Sequence, residues 1–188
     1  MSSIKDIIYL NGFMASGKST IGPILANTLG WSFFDLDRVI EDELGKKVVE
    51  IFRDEGEKFF REKESETLRK LSQLHNVVIS LGGGTSVHNN NLEIIAATGK
   101  IIYLKASPEA LYKRLRYKRD RPMFNAEQDA ENRDHLKNKI VQLLRQRTPF
   151  YEKADLIINT DDYPLGLTVD KIAKLITKEI NEEDQCSS

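Results

Sequence analysis

The sequence predicts an α/β fold, a central five-stranded parallel sheet flanked by helices, on three observations. Short apolar runs alternate with segments of helical period from end to end. The runs Ile7–Leu10, Val77–Leu81 and Ile101–Leu104 are almost continuously apolar, as strands covered on both faces must be. A glycine-bounded loop, Gly12-Phe13-Met14-Ala15-Ser16-Gly17-Lys18-Ser19, stands between the first strand and the first helix. Such alternation implies right-handed crossovers, with ligands bound beyond the carboxyl ends of the strands.

The elements follow in order. Strand 1 covers about Ile4–Asn11, and a helix runs from Lys18 to about Leu29, closed by Gly30. Ser32–Asp35 is a short second strand ending in Asp35-Leu36-Asp37. Helical period resumes through Ile40 and Leu44 until Gly45. Val48–Phe52 is a short helix, and a longer one spans Glu57 to about Leu74. Asn76–Leu81 is strand 3, and Leu92–Ala97 is helical. Ile101–Leu104 is strand 4, and Ser107-Pro108 caps a helix to about Tyr117. The charged stretch after it suits a mobile helical lid, about 112–134. A helix from about His135 ends near Pro149, Asp155–Asn159 is strand 5, and Thr168–Ile180 is the last helix. One domain is expected, with its core at 4–180 and a flexible tail at 181–188.

Composition narrows the partners. Lys+Arg number 28 against Asp+Glu 29, a net charge of -1, so neither nucleic acid nor an anionic membrane is expected. The one cysteine, Cys186, rules out an internal disulfide or cysteine metal site and suits a reducing, cytoplasmic setting. No apolar run is long enough to span a bilayer, and none at the start resembles a signal segment. His75, His88 and His135 lack ligand spacing and read as surface residues.

The Gly12–Ser19 loop carries the chemistry, in the strand–loop–helix context that the G-x-x-x-x-G-K-[ST] pattern requires. Gly12 and Gly17 allow torsions other residues resist. The loop then turns its N–H groups inward around phosphate oxygens, aided by the helix N-terminus. Lys18 reaches the β- and γ-phosphates, and the Ser19 hydroxyl ligates Mg²⁺. Ala15 tolerates only negative φ comfortably, so a right-handed or extended backbone is expected there.

Other residues after strands should open onto the same face. One of Asp35 and Asp37 can hold the Mg²⁺ shell through water, and the other can accept a hydrogen bond from an alcohol. Strand alternation would put the two on similar sides. Ser80 can join that outer shell. On a helix from Glu57, residues Glu57, Arg61 and Glu64 share a face, so two acids can hold an arginine aimed at a carboxylate. Phe60 offers an apolar wall beside it, although ordinary core is an equal reading. Gly82-Gly83-Gly84 suits close approach of backbone to a ligand. For most of Arg114, Arg116, Arg119, Arg121-Pro122 and Arg147 a solvated face is the favoured reading, yet such a cationic stretch also suits a lid that excludes water. Together these features describe an ATP-dependent phosphotransferase whose acceptor is a small hydroxylated anion.

The sequence Gly12–Thr20, Asp35-Leu36-Asp37, Gly56-Glu57 with Phe60-Arg61 and Glu64, Gly82–Gly84, Arg121-Pro122, and Arg147 with Pro149-Phe150-Tyr151 resembles the shikimate kinases in order and spacing, from about Ile7 to Ile180. The resemblance implies the P-loop NTPase type of fold and phosphorylation of the 3-hydroxyl of shikimate by ATP with Mg²⁺, in a cytoplasmic monomer. It implies nucleotide contacts from Gly12, Ala15, Ser16, Gly17, Lys18, Ser19 and Thr20, with Arg121 on ATP phosphate and Arg114 over adenine. Asn159-Thr160-Asp161 with Lys153 resembles the adenine-side loop loosely. Asp37, Arg61, Arg147 and the Gly82–Gly84 backbone resemble the shikimate-binding set, and Asp37 the group that activates the hydroxyl. Lys18, Asp37 and Arg121 are the implied catalytic residues, and Asp35 and Ser80 the outer metal shell. Ala15 and Met123-Phe124 depart from the residues common there.

Two rivals stay open. A gluconate kinase would share the P-loop but has less use for Arg61 and the triple glycine. A nucleotide switch would need no acceptor, and the N-K-x-D guanine pattern is absent, since Asn138-Lys139 is followed by Ile140-Val141.

Overall fold

The structure, a computed structural model, describes residues 6–115 and 130–186. β1 (Ile7–Asn11) is buried at every residue and lies at the middle of the sheet. It pairs with β3 (Val77–Ser80) on one side and β4 (Lys100–Lys105) on the other. β2 (Ser32–Asp35) adds beyond β3 and β5 (Leu156–Asn159) beyond β4. All pairs are parallel, in the order β2-β3-β1-β4-β5, as the sequence predicts in strand number and direction.

The period of two along β1 divides the core. Ile7 and Tyr9 join Leu36, Ile40, Phe60 and Leu68 on one face. Ile8 and Leu10 join Ile21, Leu25, Ile172 and Ile176 on the other. Each such side chain contributes roughly 1.5–3 kcal/mol on burial. The Tyr9 hydroxyl escapes penalty by pairing with Thr98 Oγ1 at 2.8 Å. A third cluster of Phe13, Tyr103, Leu111, Leu136, Ile140 and Tyr151 supports the P-loop from the side.

The helices start and stop where local chemistry allows. α1 (Lys18–Leu29) ends at Gly30, whose φ of 70 lets its N–H reach the Ala26 and Asn27 carbonyls. α2 (Leu36–Leu44) begins directly after β2, so Asp37 belongs to a first helical turn. The expected strand alternation of Asp35 and Asp37 is therefore wrong; an acid in a first turn favours the helix. α3 (Val48–Asp54) and α4 (Gly56–Leu71) follow. α4 stops three residues short of the expected Leu74, where Ser72 Oγ donates to the Arg69 carbonyl at 2.8 Å and the chain turns into Asn76 at φ 54. α5 (Asn91–Thr98) precedes β4, and α6 (Pro108–Leu115) starts with the expected cap, Ser107 Oγ accepting from the Ala110 N–H at 3.2 Å.

α7 (Ala130–Tyr151) runs through Pro149, which does not end it as expected. Pro149 removes the N–H that would reach the Arg145 carbonyl and so weakens the last turn, which full burial of Tyr151 holds. α8 (Leu165–Cys186) starts before the expected Thr168 and runs past the expected Ile180. Ile4 and the lid residues Arg116, Arg119, Arg121, Pro122, Met123 and Phe124 lie outside the described residues. No helix among the described residues is long and apolar enough to cross a membrane.

Candidate functional site

The P-loop leaves β1 through Gly12 at φ 142, where a Cβ would lie 2.7 Å from the Leu104 carbonyl oxygen. Only glycine fits that turn. Gly17, at φ 111, is the residue from which α1 starts. Its carbonyl takes the N–H groups of Thr20 and Ile21, which leaves the first amides of the helix, at Lys18 and Ser19, directed outward from the N-terminus. Lys18 is 8% exposed, and its ammonium donates to the Gly12 and Phe13 carbonyls at 2.7 and 2.9 Å. Ser16 Oγ is buried without a hydrogen-bond partner among the described residues. An ammonium resting on carbonyls and outward amides form a cradle that fits polyphosphate.

Ala15 overturns the sequence expectation, with φ at 63. The loop must reverse there between Phe13, whose carbonyl takes the Ser16 N–H, and the helix start. That closure outweighs an alanine's left-handed cost of roughly 1–2 kcal/mol. The Ala15 carbonyl then accepts from Arg114 Nη1 at 3.3 Å. Arg114 also reaches Thr160 Oγ1 at 3.4 Å and Asp161 Oδ1 at 3.3 Å, so it joins the P-loop to the loop after β5. Lys153 precedes β5, at the other end of that strand from Asn159–Asp161, and stands 5.8 Å over the Phe150 ring.

Ser19, Asp35 and Ser80 come together as expected. Ser19 Oγ donates to Asp35 Oδ2 at 2.9 Å, and Ser80 is the β3 register partner of Asp35. A hydroxyl beside one carboxylate is a hard-oxygen set that suits Mg²⁺ completing its shell with phosphate and water. No group of three or more His, Cys, Asp or Glu that could hold a metal by itself occurs among the described residues.

The acceptor side is built around the glycines after β3. A Cβ on Gly82 would lie 2.9 Å from Asp37 Oδ1, 2.9 Å from Glu64 Oε1 and 3.0 Å from Thr85 Oγ1. One on Gly83 would lie 3.3 Å from Arg147 Nη1, and one on Gly84 3.1 Å from both terminal nitrogens of Arg61. Side chains at these positions would push Asp37, Arg61 and Arg147 aside, so the glycines let all three crowd one short segment. The Gly82, Gly83 and Gly84 N–H groups donate to no acceptor among the described residues.

Arg61 is held by the two acids expected. Its Nη1 reaches Glu64 at 2.9 Å, and its Nε and Nη2 reach Glu57 at 3.3 and 3.2 Å. Glu64 is fully buried and takes the Thr85 hydroxyl at 2.6 Å on its other oxygen. Phe60, at 3% exposure, belongs to the core; it packs on Phe52, and Arg61 lies over both rings. Arg147 lies 5.7 Å over the Phe13 ring and donates to the Gly83 carbonyl at 3.1 Å. Tyr151 donates to that same carbonyl.

One expectation about a histidine is corrected, and three residues gain a place that the sequence did not assign. His88 is half-buried, not a surface residue; burial first, then the Arg61 charge, holds its pKa below the usual imidazole value. His75 and His135 are exposed as expected. Thr85, Asn11 and Tyr151 received no role from sequence. Asn11 is buried and accepts from the Gly12 N–H at 2.9 Å and from Ser86 Oγ at 3.4 Å, tying the P-loop to the turn after the glycines. A polar residue ending an apolar strand was the available signal for Asn11; Thr85 carried none.

Comparison with known proteins agrees with this geometry. Residues 14–181 match the family model described as shikimate kinase. The chain is 43% identical to the shikimate kinase of Chlorobaculum parvum over 183 residues, 97% of this chain and 98% of that one. Among solved structures it is similar to the shikimate kinase of Bacteroides thetaiotaomicron, at TM-score 0.84 and 36% identity over 91% of this chain and 98% of that one. It is equally similar to the shikimate kinase of Acinetobacter baumannii in complex with shikimate, at TM-score 0.84 and 31% identity over 94% and 95%.

Proposed function

Because this chain belongs to the shikimate kinase family, we propose that it transfers the γ-phosphoryl group of ATP to the 3-hydroxyl of shikimate, giving shikimate 3-phosphate and ADP in aromatic amino-acid biosynthesis. The observation that carries this reading is the convergence of Arg61, Arg147 and Asp37 on Gly82–Gly84, beside the P-loop. Two guanidinium groups suit one carboxylate, and a carboxylate beside them suits hydroxyls.

In this reading the P-loop amides from Gly12 to Thr20 and the Lys18 ammonium hold the β- and γ-phosphates. Lys18 leaves the Gly12 and Phe13 carbonyls to meet the transferring group. Arg114, with Thr160 and Asp161, lines the adenine side, and Arg121, outside the described residues, delivers a lid cation. Ser19 would be the direct ligand of Mg²⁺, with Asp35 and Ser80 in its outer shell, and the ion would supply charge neutralisation on the phosphates. Asp37 accepts the proton of the 3-hydroxyl as its oxygen bonds to phosphorus and the bond to the ADP oxygen breaks. Arg61, Arg147 and the glycine amides hold the acceptor so that attack is in line, and most of the catalysis is positioning. We further propose a single-domain cytoplasmic monomer.

ADP release from ATP·Mg²⁺ tests the reading, with shikimate, gluconate or no acceptor. Stimulation by shikimate alone is expected. Turnover with gluconate alone would move the chain to that kinase class. ATP binding without turnover on either acid would leave a nucleotide switch.

A further inference from the structure

We propose that Tyr151 is a positioning residue of the acceptor site: its hydroxyl, with Arg147, fixes the Gly83 carbonyl and thereby aims the Gly84 N–H at the acceptor. This inference rests on the shikimate reading above. The sequence of contacts is short. Tyr151 is the last residue of α7, fully buried, with its ring 5.2 Å from that of Tyr103. Its hydroxyl donates to the Gly83 carbonyl, which also accepts from Arg147 Nη1 at 3.1 Å. Both lone pairs of that carbonyl are thus taken from the α7 side.

A trans peptide is planar, with its C=O and N–H pointing in opposite directions. Fixing the Gly83 carbonyl toward α7 therefore turns the Gly84 N–H away from α7. Gly84 is the residue packed under the Arg61 guanidinium, and its N–H donates to no acceptor among the described residues. Without side chains, a glycine run has many peptide orientations of similar energy. A donor rooted in the core is what selects one. Tyr151 suits the task because burial pushes its phenol pKa up to about 12, against the opposing Arg147 charge, so it remains a donor. It also works on both acceptor groups at once: sharing the carbonyl with Arg147 constrains that guanidinium as well.

The test compares wild type with Tyr151→Phe, which keeps the ring and its packing. The KM for shikimate should rise about 3–10-fold, as the loss of one buried hydrogen bond implies, while the KM for ATP and kcat stay within about twofold. Backbone amide order parameters at Gly83 and Gly84 without ligand should fall in the variant, and those in β1 and β3 should not. Tyr151→p-aminophenylalanine, which restores a para N–H donor, should return the shikimate KM toward wild type. An unchanged shikimate KM, or equal loss toward both substrates, would overturn the proposal. Should wild type fail to turn over shikimate, the functional reading falls. The order parameters at Gly83 and Gly84 then decide the Tyr151 contact alone, and values equal to wild type would overturn it.

Discussion

Ser19 and Asp35 are hydrogen-bonded side chain to side chain at 2.9 Å, although sixteen residues and a whole helix separate them in sequence. The bond joins the start of α1 to the end of β2, next to Ser80 on β3. It marks the place where a hydroxyl and a carboxylate can share one divalent ion. Asp35→Asn keeps the shape and removes the charge, so the Mg²⁺ concentration for half-maximal activity should rise about tenfold. Ser19→Ala removes the hydroxyl proposed to ligate the ion directly, and its kcat/KM should fall about a hundredfold. A Mg²⁺ titration of each variant checks this; an unchanged requirement in Asp35→Asn would remove Asp35 from the metal shell.

Arg61 is predicted to carry stability and acceptor affinity together. Glu64 is fully buried, and Arg61 and the Thr85 hydroxyl each take one of its oxygens. Arg61→Ala leaves that carboxylate short of its counter-charge, at a cost of roughly 3 kcal/mol. It should also raise the shikimate KM about a hundredfold by removing charge-assisted bonds. Adding Glu64→Gln should restore much of the melting temperature but none of the acceptor affinity. If the double variant is no more stable than Arg61→Ala, the stability effect does not come from the stranded charge.

Legibility from sequence followed the range of the interaction. The parallel sheet was readable because β1, β3 and β4 are apolar runs whose burial on both faces leaves little choice. The Glu57–Arg61–Glu64 group was readable because helical spacing alone sets it. Contacts made between elements were not readable. Glycines 82 to 84 suggested room for a ligand, yet the nearest claimants on that room are the chain's own Asp37, Arg61 and Arg147. Tyr151 looked like one more aromatic after Pro149, because nothing local says that its hydroxyl meets Gly83. The alternation argument for Asp35 and Asp37 failed at a boundary, where the helix began one residue after the strand ended.

Ala15 is the case in which local propensity was read correctly and lost. Its φ of 63 is imposed by loop closure between Phe13 and Gly17. Ala15→Gly should therefore relieve about 1 kcal/mol or more of left-handed strain, offset in part by the freedom glycine adds to the unfolded chain. A net gain up to about 1 kcal/mol, or roughly 2–4 °C in Tm, is expected. The ATP affinity should stay within about threefold, since the carbonyl facing Arg114 is unchanged. Calorimetry and nucleotide titration check both; a clear loss of stability would mean that this torsion is not occupied in solution.

The last prediction concerns alkaline pH. Burial raises the Tyr151 phenol from 10.0 to about 12, with the Arg147 charge acting in the opposite sense. A folded-state pKa above the unfolded one means that the folded form resists losing the proton. The stabilisation from this group is then fully present below pH 10 and is lost as pH rises from about 10 to about 12. Over that window the unfolded chain ionises first, and a shift of this size corresponds to roughly 2–3 kcal/mol. Tyr151→Phe removes the ionisation. Its stability should lie below that of wild type at pH 8, by about 1 kcal/mol for the lost bond, and the difference should shrink or reverse by pH 11. Urea unfolding at a series of pH values, with both proteins, reads the crossing. Parallel curves would show that the Tyr151 phenol is not buried as the Tyr103 stack and the Gly83 contact require.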